Sequence, residues 1–215
     1  NVTLTVEDAY KVGRFLGWYY GQKTKADRCR VVIGKDTRRS SYMFEYSLVS
    51  GLTASGADVY LLHVTTTPSV SYVVRTEEFD CGIMISASHN PYYDNGIKVI
   101  NGRGEKLEEE TIEKIESYLD GEMGEIPFAK RDAIGRTVDY AAGRNRYIGY
   151  LISLATHSYK GMRIGLDCAN GSTWMMAKSI FETLGAETVV IGNQPNGLNI
   201  NNDCGSTHIE GLRRL

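Results

Sequence analysis

The sequence predicts an α/β fold built of two tandem domains, and three observations carry that expectation. The first is a repeated grammar. An apolar strand, Arg30-Val31-Val32-Ile33-Gly34-Lys35-Asp36, leads through a helical stretch to Gly56-Ala57-Asp58-Val59-Tyr60-Leu61-Leu62. A second, Arg163-Ile164-Gly165-Leu166-Asp167, leads through another to Gly185-Ala186-Glu187-Thr188-Val189-Val190-Ile191. Each helix is expected to last about four turns. Strand, helix, left-handed glycine and strand make the βαβ unit of a parallel sheet. Any α/β protein contains several such units, but the near-identical Gly-Ala-acid junctions favour a duplication. The second observation is the composition: 215 residues with 42% hydrophobic and 23% charged suit one large or two modest globular domains. The third is a break in the pattern from Asp120 to Arg136, where Gly121, Gly124, Pro127 and Gly135 cluster. The expected domains are therefore 1–136 and 137–215.

The elements follow in order. Thr5, with Asp8 placed for a capping box, opens a helix whose face is read as Val6, Tyr10, Gly13, Leu16 and Tyr20. The aromatic run Trp18-Tyr19-Tyr20 is read as core. After the first strand, Met43, Ser47, Leu48, Gly51 and Leu52 form the expected buried stripe of a second helix. Thr67-Pro68 reads as an N-cap followed by proline at the first helical position, opening a short helix through Val70 and Val73. Gly96 to Ile100 reads as a strand entering a tight turn at Asn101-Gly102-Arg103-Gly104. Ile112, Ile115 and Leu119 mark a further amphipathic helix, and Glu108, Glu109 and Glu110 suit the positive end of its dipole. A helix with Tyr147, Leu151 and Leu154 on one face is expected to open the second domain.

Charge and hydropathy exclude some classes. A net charge of -2 gives no basic face for nucleic acid or an anionic membrane surface. No run of 18 apolar residues and no signal-peptide pattern occurs, so a cytoplasmic protein is the default expectation. Cys29, Cys81, Cys168 and Cys204 are far apart and form no CxxC or His/Cys cluster; free, packed thiols are expected rather than a disulfide or zinc site. The chain opens on Asn1 and stops at Leu215 within a helix-like stretch, which suggests a piece of a longer protein.

The segment richest in chemistry is Cys81-Gly82-Ile83-Met84-Ile85-Ser86-Ala87-Ser88-His89-Asn90-Pro91. An apolar strand runs straight into small polar residues and an Asn-Pro turn. Ligands of open α/β sheets bind outside the carboxyl ends of the strands. Ser88 would thus lie on a loop with the Asn90 amide, the His89 imidazole and turn N–H groups able to hold an anion. Lys98, on the returning strand, would bring a positive charge to the same mouth. Turn chemistry alone also leaves a plain solvated turn open. A serine hydrolase fits worse, because adjacent Ser88 and His89 point to opposite sides of an extended chain and no Gly-x-Ser-x-Gly elbow exists.

The string Ile85-Ser86-Ala87-Ser88-His89-Asn90-Pro91-Tyr92-Tyr93-Asp94-Asn95-Gly96-Ile97-Lys98 resembles the active-site loop of the α-D-phosphohexomutase superfamily, in the wording of its bacterial phosphoglucosamine mutase branch. Gly34-Lys35-Asp36-Thr37-Arg38, Asp167-Cys168-Ala169-Asn170-Gly171, Asn196-Gly197-Leu198-Asn199-Ile200-Asn201 and Cys204-Gly205-Ser206-Thr207 continue the likeness in family order. The resemblance implies tandem phosphohexomutase-type α/β domains with mixed sheets flanked by helices, the first complete or nearly so and the second cut off before the family's metal-binding loop. It implies interconversion of the 6-phospho and 1-phospho forms of an amino hexose, through a phosphoserine and a hexose 1,6-bisphosphate intermediate. Ser88 would carry the phosphoryl group, with His89 and Lys98 as catalytic neighbours and Lys98 as the acid/base or charge partner. Asn90 and Arg38 would bind substrate or phosphate, although pairing of Arg38 with Asp36 is an equal alternative. Mg²⁺ would be held partly through phosphate on Ser88, its other ligands lying beyond Leu215, and a homodimer is implied. The alternatives are a phosphomannomutase or phosphoglucomutase, or a non-catalytic sugar-phosphate binder on the same fold. The 215 residues by themselves are expected to be inactive as a mutase. One departure stands at Ile209, where the family often has proline, and it is expected to alter only how the following helix begins.

Overall fold

A computed structural model describes residues 4–215. The Thr5 cap forms as read: the Thr5 hydroxyl accepts from the Asp8 N–H, the Asp8 carboxylate accepts from the Thr5 N–H, and α1 (Val6–Gly21) follows. The remaining elements are β1 (Arg30–Lys35), α2 (Arg39–Ala54), β2 (Asp58–Val64), α3 (Thr67–Thr76), β3 (Cys81–Ile85), β4 (Ile97–Asn101), α4 (Glu109–Leu119), β5 (Thr137–Asp139), α5 (Ala141–Ser153), β6 (Arg163–Asp167), α6 (Ala177–Thr183) and β7 (Glu187–Ile191).

One mixed sheet has the order β4-β3-β1-β2-β5. Strands β1, β2, β3 and β5 run parallel, and β4 returns antiparallel to β3 with Met84 opposite Lys98. Strand alternation sorts the core. Val31, Ile33, Ile83 and Ile85 join α1, α2 and α4 on one face, while Val32, Met84 and Ile100 meet Val70, Val73 and Val74 of α3 on the other. Both faces are covered, which is why the central strands read as continuous apolar runs. A second, parallel pair, β6–β7, with α6 between them in sequence, forms the sheet of the C-terminal part, whose buried cluster is Tyr147, Met176 and Ile180 of and beside α5 and α6. Gly56 and Gly185 both take the left-handed conformation expected at the helix ends, with φ of +91° and +98°.

Several expectations need correction. The buried face of α1 is Ala9, Val12, Gly13, Phe15 and Leu16, and Val6 is exposed, because the helix lies along α2 through Gly13 rather than through its first turn. In α2, Leu48, Gly51 and Leu52 are buried but Met43 faces outward, its place taken by Phe44. Helix α3 begins one residue earlier than read, with Thr66 at the N-cap position but no side-chain capping bond from it, and Pro68 in its first turn. The helix of the second repeat is only Ala177–Thr183 instead of about four turns. Ala169 and Asn170 take left-handed φ angles, which no helix accommodates, and the chain turns through Thr173 before α6 can start. Thr137–Asp139, the residues just past the boundary expected at 136, pair with Val59–Leu61 of β2. Helix α5, expected to open a separate domain, also packs on α3: Tyr72 stacks on Tyr150 at 4.5 Å and meets Tyr147 at 5.6 Å.

Trp18, Tyr19 and Tyr20 pack against the first core, as read, while Tyr92 and Tyr93 are exposed. All four cysteines are free and buried. Among the described residues no helix is long and apolar enough to cross a membrane.

Candidate active site at the end of β3

Strand β3 is fully buried until Ile85 and then delivers the chain to the surface at Ser88, His89 and Asn90, all three exposed. The loop is fixed by its own backbone and small side chains. The Ser86 N–H donates to the Gly96 carbonyl at 2.9 Å, the Ser88 N–H to the Ser86 hydroxyl at 3.1 Å, and the Asn90 N–H to the Ala87 carbonyl at 3.1 Å. Ser88 itself stands at φ +56°, a left-handed backbone uncommon for a serine. Backbone held in a sparsely populated region persists only where the surroundings over-determine it. Among the described residues its hydroxyl has no hydrogen-bond partner, which leaves it available for chemistry.

Ser88 lines a cavity of about 270 Å³ whose opposite wall is contributed by Cys168, Ser172, Thr173 and Asn201 of the C-terminal part. Thr66, Thr67 and Pro68 also line it, so the positive end of the α3 dipole opens on the same space. A larger hollow of about 880 Å³ lies at the other end of the sheet, around Arg30 and Asp80, where β1 and β3 begin. Its basic residues are interspersed with Glu78, Glu108 and Glu110, and it sits at the strand ends where open α/β sheets do not bind ligands. The smaller cavity, at the carboxyl ends of the strands, is the candidate site.

The other predicted residues divide. His89 and Asn90 share the Ser88 loop; the Asn90 amide NH₂ donates to the Asp94 carboxylate at 3.2 Å. Lys98 is exposed on β4 and lines an adjoining hollow of about 620 Å³, which touches the Ser88 cavity through the shared residue Thr67. No hydrogen bond joins Lys98 to the loop among the described residues. Arg38 does not present itself to a ligand. Its side chain is 0% exposed, it pairs with Asp36, and its Nη2 donates to the carbonyls of Ser88 at 3.2 Å and Asn90 at 2.7 Å. The pairing with Asp36 is present, and the guanidinium also meets the two loop carbonyls, while its buried Nε has no hydrogen-bond partner among the described residues.

For Mg²⁺ the residues present do not make a complete site. Among the described residues no group of three or more His, Cys, Asp or Glu is arranged to hold a metal. The carboxylate in the cavity wall, Asp36, accepts from Arg38 and from the Ser41 hydroxyl at 2.7 Å and has no oxygen to spare.

The segments from 167 and 196 form one assembly that the sequence listed only as separate motifs. The Asp167 carboxylate accepts from the N–H groups of Ala169 at 2.8 Å and Gly205 at 2.6 Å. The Asn170 amide donates to the Asn199 carbonyl and accepts from the Gln194 N–H. This assembly meets the first sheet at three places. The Thr37 hydroxyl donates to the Asn170 carbonyl at 2.6 Å, the Arg39 N–H to the Gly197 carbonyl at 3.1 Å, and the Asn201 amide to the Ser88 loop. Sequence reading missed Asn201 as a site residue; its presence in the Asn196–Asn201 motif was the only available signal.

The family model "Phosphoglucomutase/phosphomannomutase, alpha/beta/alpha domain I" matches residues 1–124 of the chain. The chain belongs to the phosphoglucomutase/phosphomannomutase family. Its curated relatives within that family include a phosphoglucosamine mutase of Lachnospira eligens, 71% identical over all 215 residues and covered to 48% of its own length. Another, from Lachnoclostridium phytofermentans, is 72% identical over the whole chain and covered to 47%. The chain thus spans about half the length of the curated relatives it matches. A crystal structure of a phosphoglucomutase/phosphomannomutase family protein from Burkholderia thailandensis shares the fold at a TM-score of 0.78 and 22% identity, over 98% of this chain and 46% of that one.

Proposed function

We propose that this chain supplies the phosphoserine loop of a phosphohexomutase acting on glucosamine phosphate, converting the 6-phosphate to the 1-phosphate. The single observation that carries the reading is Ser88: an exposed serine with a free hydroxyl, held at φ +56° in a cavity walled by both parts of the chain. The identity to phosphoglucosamine mutases, 71% and 72%, supports the choice of sugar over the phosphomannomutase and phosphoglucomutase alternatives. The two-domain organisation belongs to the same proposal, with the passage between domains after β5 instead of at 136.

In this reading, phosphate on Ser88 adds roughly -1.5 to -2 charge and three acceptor oxygens. The bond from phosphorus to the serine oxygen breaks as a bond from phosphorus to the sugar hydroxyl oxygen forms. An enzyme base takes the hydroxyl proton, and a proton is delivered to the departing Ser88 oxygen, so that a neutral serine hydroxyl remains. A bisphosphate results, which turns in the cleft and returns its other phosphoryl group to Ser88. Phosphoryl transfer depends on charge stabilisation and in-line placement. From this chain come the α3 dipole, the Lys98 ammonium in the neighbouring hollow, and His89 and Asn90 on the loop itself. Mg²⁺, when bound, would neutralise phosphate charge with one oxygen through phospho-Ser88 and the rest of its ligands from outside the described residues.

The test is a Ser88→Ala change in the full-length protein. Turnover of glucosamine 6-phosphate should fall by at least about three orders of magnitude, since the covalent carrier is gone. Mass spectrometry after incubation of the parent with glucose 1,6-bisphosphate should find phosphate on Ser88. Retained turnover in the variant ends the proposal; rates with glucosamine, mannose and glucose phosphates decide the sugar.

A further inference from the structure

The carbonyl oxygens of Ser88 and Asn90 are the convergence point of four N–H bonds from opposite sides of the cleft. Arg38 Nη2 donates to them at 3.2 and 2.7 Å. Asn201 Nδ2, which lies 113 residues beyond Ser88 in the chain, donates to the same two oxygens at 3.0 and 3.0 Å. A carbonyl accepts two hydrogen bonds, and an amide NH₂ or a guanidinium NH₂ donates two. The set is saturated on every side.

We propose that Asn201 is a positioning residue for the reactive serine. It acts by holding the Ser88 and Asn90 carbonyls so that the Ser88 hydroxyl faces the cavity at a fixed angle. This rests on the phosphoserine reading above. The Ser88 carbonyl belongs to the peptide plane that follows Ser88, and the Asn90 carbonyl to the plane before Pro91. Holding both fixes the C-terminal side of the Ser88 side chain, while the Ser88 N–H bond to the Ser86 hydroxyl holds the plane before it. Arg38 holds them from within the first core, itself locked by Asp36. Asn201 holds them from the C-terminal part, and it is built for that task. Its own backbone is left-handed, with φ +59°, and its N–H donates to the Ala169 carbonyl at 2.9 Å. The loop carrying it is tied to Asp167 through the Gly205 N–H and to Asn170 through the Asn199 carbonyl. Turning the amide over would set Oδ1 against two carbonyl oxygens, so only one orientation is tolerated.

Two consequences follow. The orientation of the serine is set jointly by the two parts of the chain, so phosphoryl transfer is sensitive to how the C-terminal part is seated on the first sheet. The distance between attacking and leaving oxygens matters steeply here, since a misplacement of about 1 Å costs on the order of a hundredfold in rate.

The informative variants in the full-length protein are Asn201→Asp and Asn201→Gly. Aspartate keeps the size and tolerates the left-handed backbone, but replaces the donating NH₂ by an oxygen facing two carbonyls. Glycine removes the amide with no backbone strain. Both should lower kcat for glucosamine 6-phosphate by about tenfold to a hundredfold while KM stays within about twofold. The single-turnover rate of phosphoryl transfer from glucose 1,6-bisphosphate to Ser88 should drop in parallel. The amides of residues 88–90 should exchange with deuterium faster, whereas those of β1 and β3 are unchanged. Full kcat and an unchanged transfer rate in the glycine variant overturn the inference; with Ser88→Ala inactive, the phosphoserine reading survives that result. An active Ser88→Ala protein overturns the reading, and the inference with it. A variant that loses kcat only in proportion to its loss of folded protein, by circular dichroism, also counts against a positioning role.

Discussion

At the residue scale, the most consequential pair is Arg38 with Asp36, 0% and 1% exposed at their side chains. Charges so deep are costly, and the fold compensates by giving Asp36 the Ser41 hydroxyl and the Arg38 N–H, and Arg38 the two loop carbonyls. Removing one partner strands the other. Arg38→Met should therefore cost about 3–5 kcal/mol, read from the urea midpoint at unchanged slope. Arg38→Lys keeps the charge but not the fork, and should lose less stability while still loosening the loop. A loss under about 1 kcal/mol for the methionine variant would mean that the pair adds nothing beyond its desolvation cost. The pairing was one of two readings open to the sequence, since Asp-x-Arg beside a strand end fits both. The burial that chose between them arises from α2 and the Ser88 loop closing over the guanidinium, which no local pattern records.

At the element scale, α1 and α2 cross with backbones nearly touching. A Cβ built on Gly51 would lie 2.8 Å from the Arg14 nitrogen and closer still to the Tyr10 carbonyl oxygen, and one on Gly13 would press on the Leu48 carbonyl oxygen. Replacing a helical glycine with alanine normally gains up to about 1 kcal/mol from propensity. Here the clash is with main-chain atoms that cannot rotate away, and overpacking costs about 1–3 kcal/mol. Gly51→Ala should thus be net destabilising. Gly149→Ala in α5, with nothing within 4 Å of the added carbon, should stabilise by about 0.5–1 kcal/mol. Chemical denaturation of the two variants side by side checks the contrast, and equal effects would refute the close crossing. The sequence places Gly51 on a buried stripe but does not show that another helix's backbone lies against it. The opposite consequences at Gly51 and Gly149 come from a neighbouring helix present at one and absent at the other.

At the scale of the whole molecule, the buried thiols report on integrity. Burial raises the thiols of Cys29 and Cys81 well above their ordinary range, and it also raises those of Cys168 and Cys204. The sign follows directly. Below the ordinary thiol value of 9.0 the folded and unfolded states are equally protonated, so this contribution is fully present. As pH climbs from there towards the folded values, only the unfolded chain loses protons, and stability falls. Urea midpoints should decline between about pH 9 and pH 10.5 in excess of what lysine and tyrosine titration produce, and a Cys29→Ala/Cys81→Ala double variant should flatten that decline. Alkylation at pH 8 should be slow for all four thiols when native and fast in urea. A rapidly alkylated Cys81 would contradict its place at the heart of the sheet.

What the sequence by itself determined is the set of features whose signal is local. The central strands were legible because a strand covered on both faces must be apolar throughout, and the Thr5 box because its partners lie three residues apart. Gly56 and Gly185 were legible because left-handed helix ends favour glycine, and Ser88 because a small polar string follows directly on a buried strand. Strand β5 was not legible: Thr137-Val138-Asp139 is too short for its alternation to stand out, and it is a strand because β2 offers an open edge. Only the tertiary structure decided that Arg38 is interior, that α5 bridges two cores, and that Asn201 grips the serine loop. Each of those facts is a meeting of groups far apart in the chain, and such meetings leave no periodicity in it because they depend on where packed elements come to rest.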